Sequence, residues 1–200
     1  MTLGPGNRSL PGMTAHERLV ELLAQRSARH GEFRLSSGRT SSLYIDARLT
    51  TMSPEGLAII GPLGMEVLSA TGWLVDAVGG LTLGADPIAY AISYASMLAG
   101  TPLRAFTVRK ELKTHGTGRL VEGPFQEGDR VAIVEDVITT GGSALKAATA
   151  VRAAGGEVAG ILALVDREEG GRATLEAAGF QVRAIVRSEE IVAMMTKTIH

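Results

Sequence analysis

The chain has 200 residues, enough for a single domain with a sizeable core. Hydrophobic residues make up 45% and charged residues 20%, a globular composition, and the net charge of −1 gives no electrostatic reason to expect a nucleic acid or an acidic membrane as partner. Cysteine is absent, which excludes a disulfide framework, a thiolate zinc site and a cysteine nucleophile, and fits a cytoplasmic protein.

No apolar run reaches the roughly 18–20 residues needed to cross a bilayer. Residues 1–12, MTLGPGNRSLPG, lack the hydrophobic segment of a signal peptide and read as a flexible tail, leaving residues 13–200 as one domain. Residues 14–29 have the spacing of an amphipathic helix: Thr14 and Glu17 stand as in a capping box, and Leu19, Leu22 and Leu23 recur at helical intervals. His30, before Gly31, reads as the C-terminal residue of that helix, favoured by its dipole. A polar stretch with short β-like runs follows, FRLSSGRTSSLYID, in which SSGR suits a turn.

From about residue 54 helices and strands alternate. EGLAIIGPLGMEVLSA is a helix opened by Pro54, with Pro62 an expected irregularity. WLVDAVGG reads as a strand, GLTLGAD as a loop, and PIAYAISYASML as a helix with Pro87 at its start. LRAFTV is a strand; RKELKTHGTGRLVEGPFQEGD is polar and glycine-bearing; VAIVE is a strand, and SALKAATAVRAA a helix stopped by glycines. VAGILALVD (strand), RATLEAAG (helix) and VRAIV (strand) complete the series, with Trp73 and Phe106 as core candidates. The strands are continuous apolar runs, so both their faces should be covered. That predicts an α/β fold: a parallel sheet of about five strands flanked by helices.

The most informative segment is VAIVEDVITTGGSA, residues 131–144. Glu135 and Asp136 end an apolar strand; Thr139, Thr140, Gly141, Gly142 and Ser143 follow; a helix begins directly after. In an open α/β sheet ligands sit beyond the carboxyl ends of the strands. There, glycines let backbone N–H groups converge and a helix start adds partial positive charge, which suits a phosphate. Carboxylates repel phosphate but suit vicinal hydroxyls, so phosphate plus diol describes a ribose 5-phosphate. The spacing is neither GxxxxGK[ST] nor GxGxxG. Taken alone, a strand, glycine-rich turn and helix are common, and paired acids also occur in solvated loops and metal sites. The complete pattern, however, resembles the phosphoribosyl pyrophosphate signature of type I phosphoribosyltransferases.

A second segment, RKELKTHG, puts Arg109, Lys110, Lys113 and His115 within seven residues, offset only by Glu111, with Gly116 and Gly118 close behind. It reads either as a solvated charged loop or as a cationic loop aimed at a leaving diphosphate, where donors stabilise developing charge and closure excludes water. It resembles the catalytic loop of orotate phosphoribosyltransferases. Arg167, in VDREEG, matches the arginine that pairs with the orotate carboxylate, a role suited to its two-pronged donor; the other reading is a surface arginine beside Asp166, Glu168 and Glu169. FRLSSGR, residues 33–39, resembles the family's N-terminal base-side loop, and Arg39 and Tyr44 could face the base or serve structure. The sequence departs from the common pattern where Ser36 and Ser37 replace a lysine region, where Leu83-Gly84 replaces a Tyr-Lys pair, and where Glu135 replaces an aspartate. The LSSGR and GGLTLGADP forms match a variant subgroup.

The resemblance covers nearly the whole chain. It implies a small N-terminal hood (about residues 13–53 plus a C-terminal segment) over the sheet, and the transfer of phosphoribosyl from phosphoribosyl pyrophosphate to orotate, yielding orotidine 5′-monophosphate. It implies that Arg109, Lys110, Lys113, His115 and the run Glu135, Asp136, Val137, Ile138, Thr139, Thr140, Gly141, Gly142 and Ser143 bind the phosphoribosyl donor. Thr139 and Arg167 would bind orotate, and Lys113, His115 and Asp136 would act in catalysis. Magnesium is expected as the cofactor, carried on the diphosphate rather than in a protein cage. A homodimer sharing the loop 109–118 between subunits is implied as well. The alternatives are a phosphoribosyltransferase for another base and a non-catalytic phosphoribosyl pyrophosphate sensor, although the chain shows neither a DNA-binding module nor excess positive charge.

Overall fold

The computed structural model describes residues 12–34, 40–111 and 119–197. Helix α1 (Ala15–Leu22) starts at the capping box: Glu17 N–H donates to the Thr14 hydroxyl and the Glu17 carboxylate accepts from Thr14 N–H. It continues as one π-helical turn, Leu23–Ser27, and then becomes strand β1 (Ala28–Arg34), which pairs antiparallel with β2 (Thr40–Ile45). His30 therefore lies in β1 opposite Leu43, not at a helix end; cross-strand pairing outweighs the local helical pattern over residues 28–29. A short α2 (Arg48–Thr51) leads to α3 (Pro54–Thr71), which Ser53 caps and which Gly72 ends in the left-handed conformation. Pro62 lies inside α3 without ending it. Both Pro62 and Ala58, whose carbonyl loses its usual i+4 donor, are on the exposed face, where water can serve that oxygen.

The main sheet is built from β3 (Ala77–Leu81), β4 (Arg104–Val108), β5 (Val121–Glu122), β6 (Arg130–Ile138), β7 (Glu157–Asp166) and β8 (Val182–Arg187), in the order β5-β4-β3-β6-β7-β8. Five of these strands are parallel, as the continuous apolar runs predict. The sixth, β5, is an antiparallel edge pair of two residues, too short to leave a periodic signal. Helices α4 (Asp86–Leu98), α5 (Gly142–Ala153), α6 (Gly171–Ala177) and α7 (Ser188–Lys197) complete the chain.

The central strands are buried on both faces, and their side chains alternate between two core layers. Ala132, Val134, Leu162 and Leu164 face the α1, α3 and α4 side. Val131, Ile133, Ile161 and Ala163 face α5 and α6, with Phe106 fully buried among them. Trp73 packs at the margin, its indole over Gly160 and its N–H donating to Gln181. Helix α7 returns to the hood, where His16 meets Glu190 at 2.7 Å.

The strand order reverses direction between β3 and β6, which makes that gap the switch point of the sheet. Pairing between the two strands stops at Gly79 and Ile133, while β3 runs on to Leu81 and β6 to Ile138. The strands part, and a crevice opens at their carboxyl ends. Among the described residues no helix is long and apolar enough to cross a membrane.

Candidate active site

A cleft of about 260 Å³ occupies this crevice. One wall is the end of β2 and the start of α2, with Tyr44, Asp46 and Arg48; the second is the β3–α4 loop, Leu81 to Gly84; the third is β6 and the start of α5, with Glu135, Asp136, Val137 and Ser143; Lys110 closes a side. A larger hollow of about 800 Å³, lined by residues such as Phe125, Glu127 and Arg152, lies along β5 and the end of α5. It lacks the acid pair and the helix start, so it has no chemistry matching the signature.

The acid pair is deeper in the strand than the sequence pattern implies, because β6 continues through Ile138. Glu135 is 9% exposed, and its buried Oε2 has no hydrogen-bond partner among the described residues. Burial, then the charge of Asp136, then a hydrogen bond with Asp136 push its carboxyl well above the ordinary value. Asp136 is partly exposed, and its Oδ1 accepts from Val137 N–H at 2.9 Å. Its carboxylate packs on the opposite wall: a Cβ on Gly84 would sit 2.3 Å from Asp136 Oδ2. Any side chain there would displace Asp136 or the β3–α4 loop, which gives a physical reason for the glycine of the Leu83-Gly84 form.

The candidate phosphate cradle consists of backbone. Gly141 caps α5 with φ +81°, and no side chain caps that helix start. Its first N–H groups are thus left for a ligand. Gly142 and Thr140 are exposed, Thr139 and Ser143 partly so. Val137 lines the cleft, whereas the Ile138 side chain is buried in the α5-side core and its carbonyl accepts from Arg167 N–H, so only its backbone remains at the cradle.

The cations divide. Lys110 lines the cleft, but Arg109 turns to the sheet edge, with Nη1 3.8 Å from Glu122. Lys113 and His115 lie outside the described residues, as does the SSGR turn. Arg167 is not a surface arginine. Its side chain is 3% exposed, and Nη2 donates to the Leu43 carbonyl at 2.7 Å and to Glu169 Oε1 at 2.6 Å. It joins the end of β7 to hood strand β2. Asp166 steadies that corner by accepting from Glu168 N–H and Arg172 Nε.

No protein-family model matches the chain. Individual relatives do: it is 45% identical over 183 residues to the orotate phosphoribosyltransferase of Aquifex aeolicus, covering 90% of this chain and 99% of that one. It is 47% identical over 186 residues to the orotate phosphoribosyltransferase of Sorangium cellulosum, covering 92% and 96%. The chain belongs to the orotate phosphoribosyltransferase family. The crystal structure of Mycobacterium tuberculosis orotate phosphoribosyltransferase in complex with 5-phospho-alpha-D-ribosyl 1-diphosphate aligns with a TM-score of 0.75 at 40% identity, covering 89% of this chain and 99% of that one. The enzyme is a transferase of the type I phosphoribosyltransferase fold.

Sequence reading missed three polar residues of the described cleft lining. Arg48 carries its guanidinium to the hood wall, where Nε and Nη2 grip the two oxygens of Asp46 at 2.8 and 2.9 Å. That pairing lowers the Asp46 pKa and, aided by the more distant charges of Tyr44 and Asp136, raises that of Arg48. Thr82 is the third. Nothing in YIDAR or LTLG marks these side chains, because what places them is the folding of the hood and of the β3–α4 loop over the acid pair. Tyr44 does reach the cleft, stacked on Phe33 with ring centroids 5.3 Å apart.

Proposed function

We propose that the chain transfers the 5-phosphoribosyl group from phosphoribosyl pyrophosphate to orotate, releasing pyrophosphate and forming orotidine 5′-monophosphate. One observation carries the reading: an uncapped helix start and a buried acid pair converge on one cleft at the switch point of the sheet. The backbone from Thr139 to Ser143 holds the 5-phosphate, and Glu135 and Asp136 accept from the ribose hydroxyls. This direction leaves the anomeric carbon and its diphosphate facing the β3–α4 loop, Arg48 and Lys110. As the C1–O bond breaks, the ribose becomes oxocarbenium-like and negative charge collects on pyrophosphate; Lys113 and His115, from the cationic loop, stabilise it or donate a proton. Arg167 and Thr139 receive the orotate carboxylate and ring, with Glu169 yielding its place on the Arg167 guanidinium. The hood, residues 13–53 with the C-terminal helix, covers the base.

Magnesium fits this site. The unmatched Glu135 Oε2 and the neighbouring Asp136 are hard oxygen ligands suited to hold the ion or its waters, and Mg²⁺ commonly travels on substrate phosphates with few protein ligands. When bound, the ion offsets diphosphate charge beside two carboxylates. Among the described residues no group of three or more His, Asp or Glu side chains could hold a metal unaided.

A homodimer is supported by α4, which exposes Tyr90, Tyr94, Met97 and Leu98 at helical spacing, each more than half exposed. A stripe of that kind calls for a covering surface. In the dimer the loop 109–118 is shared between the subunits. The cytoplasm is the compartment in which a cysteine-free enzyme of this kind works.

The test is loss of orotate absorbance with the purified chain. Consumption should require both phosphoribosyl pyrophosphate and magnesium. Turnover of adenine, hypoxanthine or uracil with no turnover of orotate would overturn the base assignment. With Lys113→Ala, kcat should fall at least tenfold more than orotate affinity does; equal losses would assign the loop to ground-state binding.

A further inference from the structure

Asp86, the first residue of α4, is 8% exposed, and its carboxylate is met by hydroxyls. Thr82 Oγ1 donates to Oδ2 at 2.6 Å, and Thr107 Oγ1, from the neighbouring strand β4, donates to Oδ1 at 2.9 Å. The Tyr90 hydroxyl lies 3.0 Å from Thr107 Oγ1. A threonine hydroxyl has one proton. Since that of Thr107 points to Asp86, the Tyr90 hydroxyl is the donor in its bond with Thr107. The protons of Thr82 and Thr107 are directed at the carboxylate, and that of Tyr90 at Thr107.

Such a group is a costly way to stabilise a fold. A buried carboxylate served by neutral hydroxyls is repaid only in part, here helped by the positive end of α4. What the array does fix is the loop Thr82 to Gly84, which forms the cleft wall facing the diphosphate. Thr82 is pinned twice: its N–H donates to the Val108 carbonyl at 2.8 Å and its hydroxyl to Asp86. The next two N–H groups, Leu83 and Gly84, donate to no protein atom among the described residues, and both residues line the cleft.

We propose that Asp86 is a positioning residue for the leaving group: by holding Thr82 to Thr107 across the β3–β4 edge, its carboxylate aims the Leu83 and Gly84 amides at the pyrophosphate end of the cleft. The proposal rests on the reading of the cleft as a phosphoribosyl pyrophosphate site. It accounts for how this chain organises its diphosphate wall with Leu83-Gly84, where no side-chain cation is present. Neutral amides, fixed from behind by a carboxylate, serve in place of charge. Asp86 does not touch substrate, and its effect passes through Thr82.

The experiment compares Thr82→Val, Thr82→Ser and Asp86→Asn with the unaltered full-length chain, by steady-state kinetics and by product inhibition with pyrophosphate. Valine keeps the shape of threonine and removes the donor; serine keeps the donor. Thr82→Val and Asp86→Asn should each raise the KM for phosphoribosyl pyrophosphate and the inhibition constant of pyrophosphate by roughly tenfold, the scale of losing a hydrogen bond to a charged group. The KM for orotate should stay within about twofold, and Thr82→Ser should restore both constants. Losses shared equally by both substrates and accompanied by a fall in Tm would show a merely structural role and overturn the proposal. So would unchanged constants in an active enzyme. If the unaltered chain fails to consume orotate with phosphoribosyl pyrophosphate, the reading of the site falls first, and the proposal with it.

Discussion

Two strand–turn–helix units flank the same cleft and are built on different principles. The turn after β6 leads into α5 through Gly141 at φ +81°, and its ligand-facing groups are backbone. The turn after β3 leads into α4, also without a side-chain cap, but it is held by the Thr82–Asp86–Thr107 array that crosses to β4. By contrast α1 and α3, which do not open on the cleft, are capped by Thr14 and Ser53. A helix start left uncapped has N–H groups that water or a ligand can satisfy; α6 begins without a side-chain cap too, away from the cleft, so it is the acid pair beside α5 that distinguishes the site. The comparison teaches that one anion site can be encoded within five consecutive residues, and its neighbour only by contacts between strands.

The sharpest way to break this comparison is Gly141→Ala. The left-handed conformation costs a residue with a Cβ about 1–3 kcal/mol, and here the added carbon would lie 2.9 Å from Leu175 Cγ and 3.1 Å from the Gly171 carbonyl. The cradle and its packing against α6 would shift together. We expect kcat/KM for phosphoribosyl pyrophosphate to fall on the order of a hundredfold or more, the scale of a lost set of aimed donors. Thermal unfolding should also move down. A variant with near-normal kcat/KM would show that the 5-phosphate is held elsewhere.

Gly84→Ala probes the other turn and should do less. Gly84 has no positive φ to forbid a side chain, so the loop can form, but its new carbon would press on the Asp136 carboxylate at 2.3 Å. Asp136 must then rotate or the loop must retreat. Either movement weakens ribose or diphosphate contacts, and roughly a tenfold rise in KM for phosphoribosyl pyrophosphate is expected, with a small change in Tm. Equal damage from the two alanines would erase the distinction between a turn that is strained by its backbone and one that is crowded by its neighbour.

The same distinction decides what could be read from sequence. The alternation of apolar strands with helices was sufficient for an α/β fold with five parallel strands, because burial on both faces dictates composition directly. The acid pair and Thr139–Ser143 were legible because they are contiguous. Thr82 and Asp86 were not, since their meaning depends on which strand neighbours β3, and Arg48 was not, since it reaches the cleft only when the segment after β2 folds over the acid pair. Arg167 was singled out for the orotate carboxylate, with a surface arginine as the other reading; its burial against Leu43 and Glu169 belongs to the docking of β2 on the end of β7, which no local window contains. Helix was expected through residue 29 and stopped at the π-helical turn, because β1 gains a partner in β2 that no local window contains.

The smallest expected effect sharpens the comparison from the acid pair that lies between the two turns. In the folded protein Glu135 keeps its proton well above the ordinary value of about 4.5, through burial and the nearby Asp136 charge. The unfolded chain releases that proton first as pH rises. Over that window the native state binds more protons, so its stability declines with increasing pH; the contribution is fully present below about 4.5 and lost as pH passes the raised native value. Glu135→Gln has no proton to lose. Its Tm should match the unaltered protein near pH 4 and exceed it by a growing margin as pH rises. Substrate should reverse the balance, because ribose hydroxyls donating to Glu135 favour the ionised carboxylate and compensate for its burial. Binding of phosphoribosyl pyrophosphate should then release a proton from the unaltered enzyme and not from the glutamine variant, a difference that calorimetry in buffers of unlike ionisation heat can measure. A Tm gap that is flat with pH would mean that Glu135 is already ionised in the empty cleft. The acid pair would then be held by solvent or by a cation, and the ribose hydroxyls would not be the partners that Oε2 awaits.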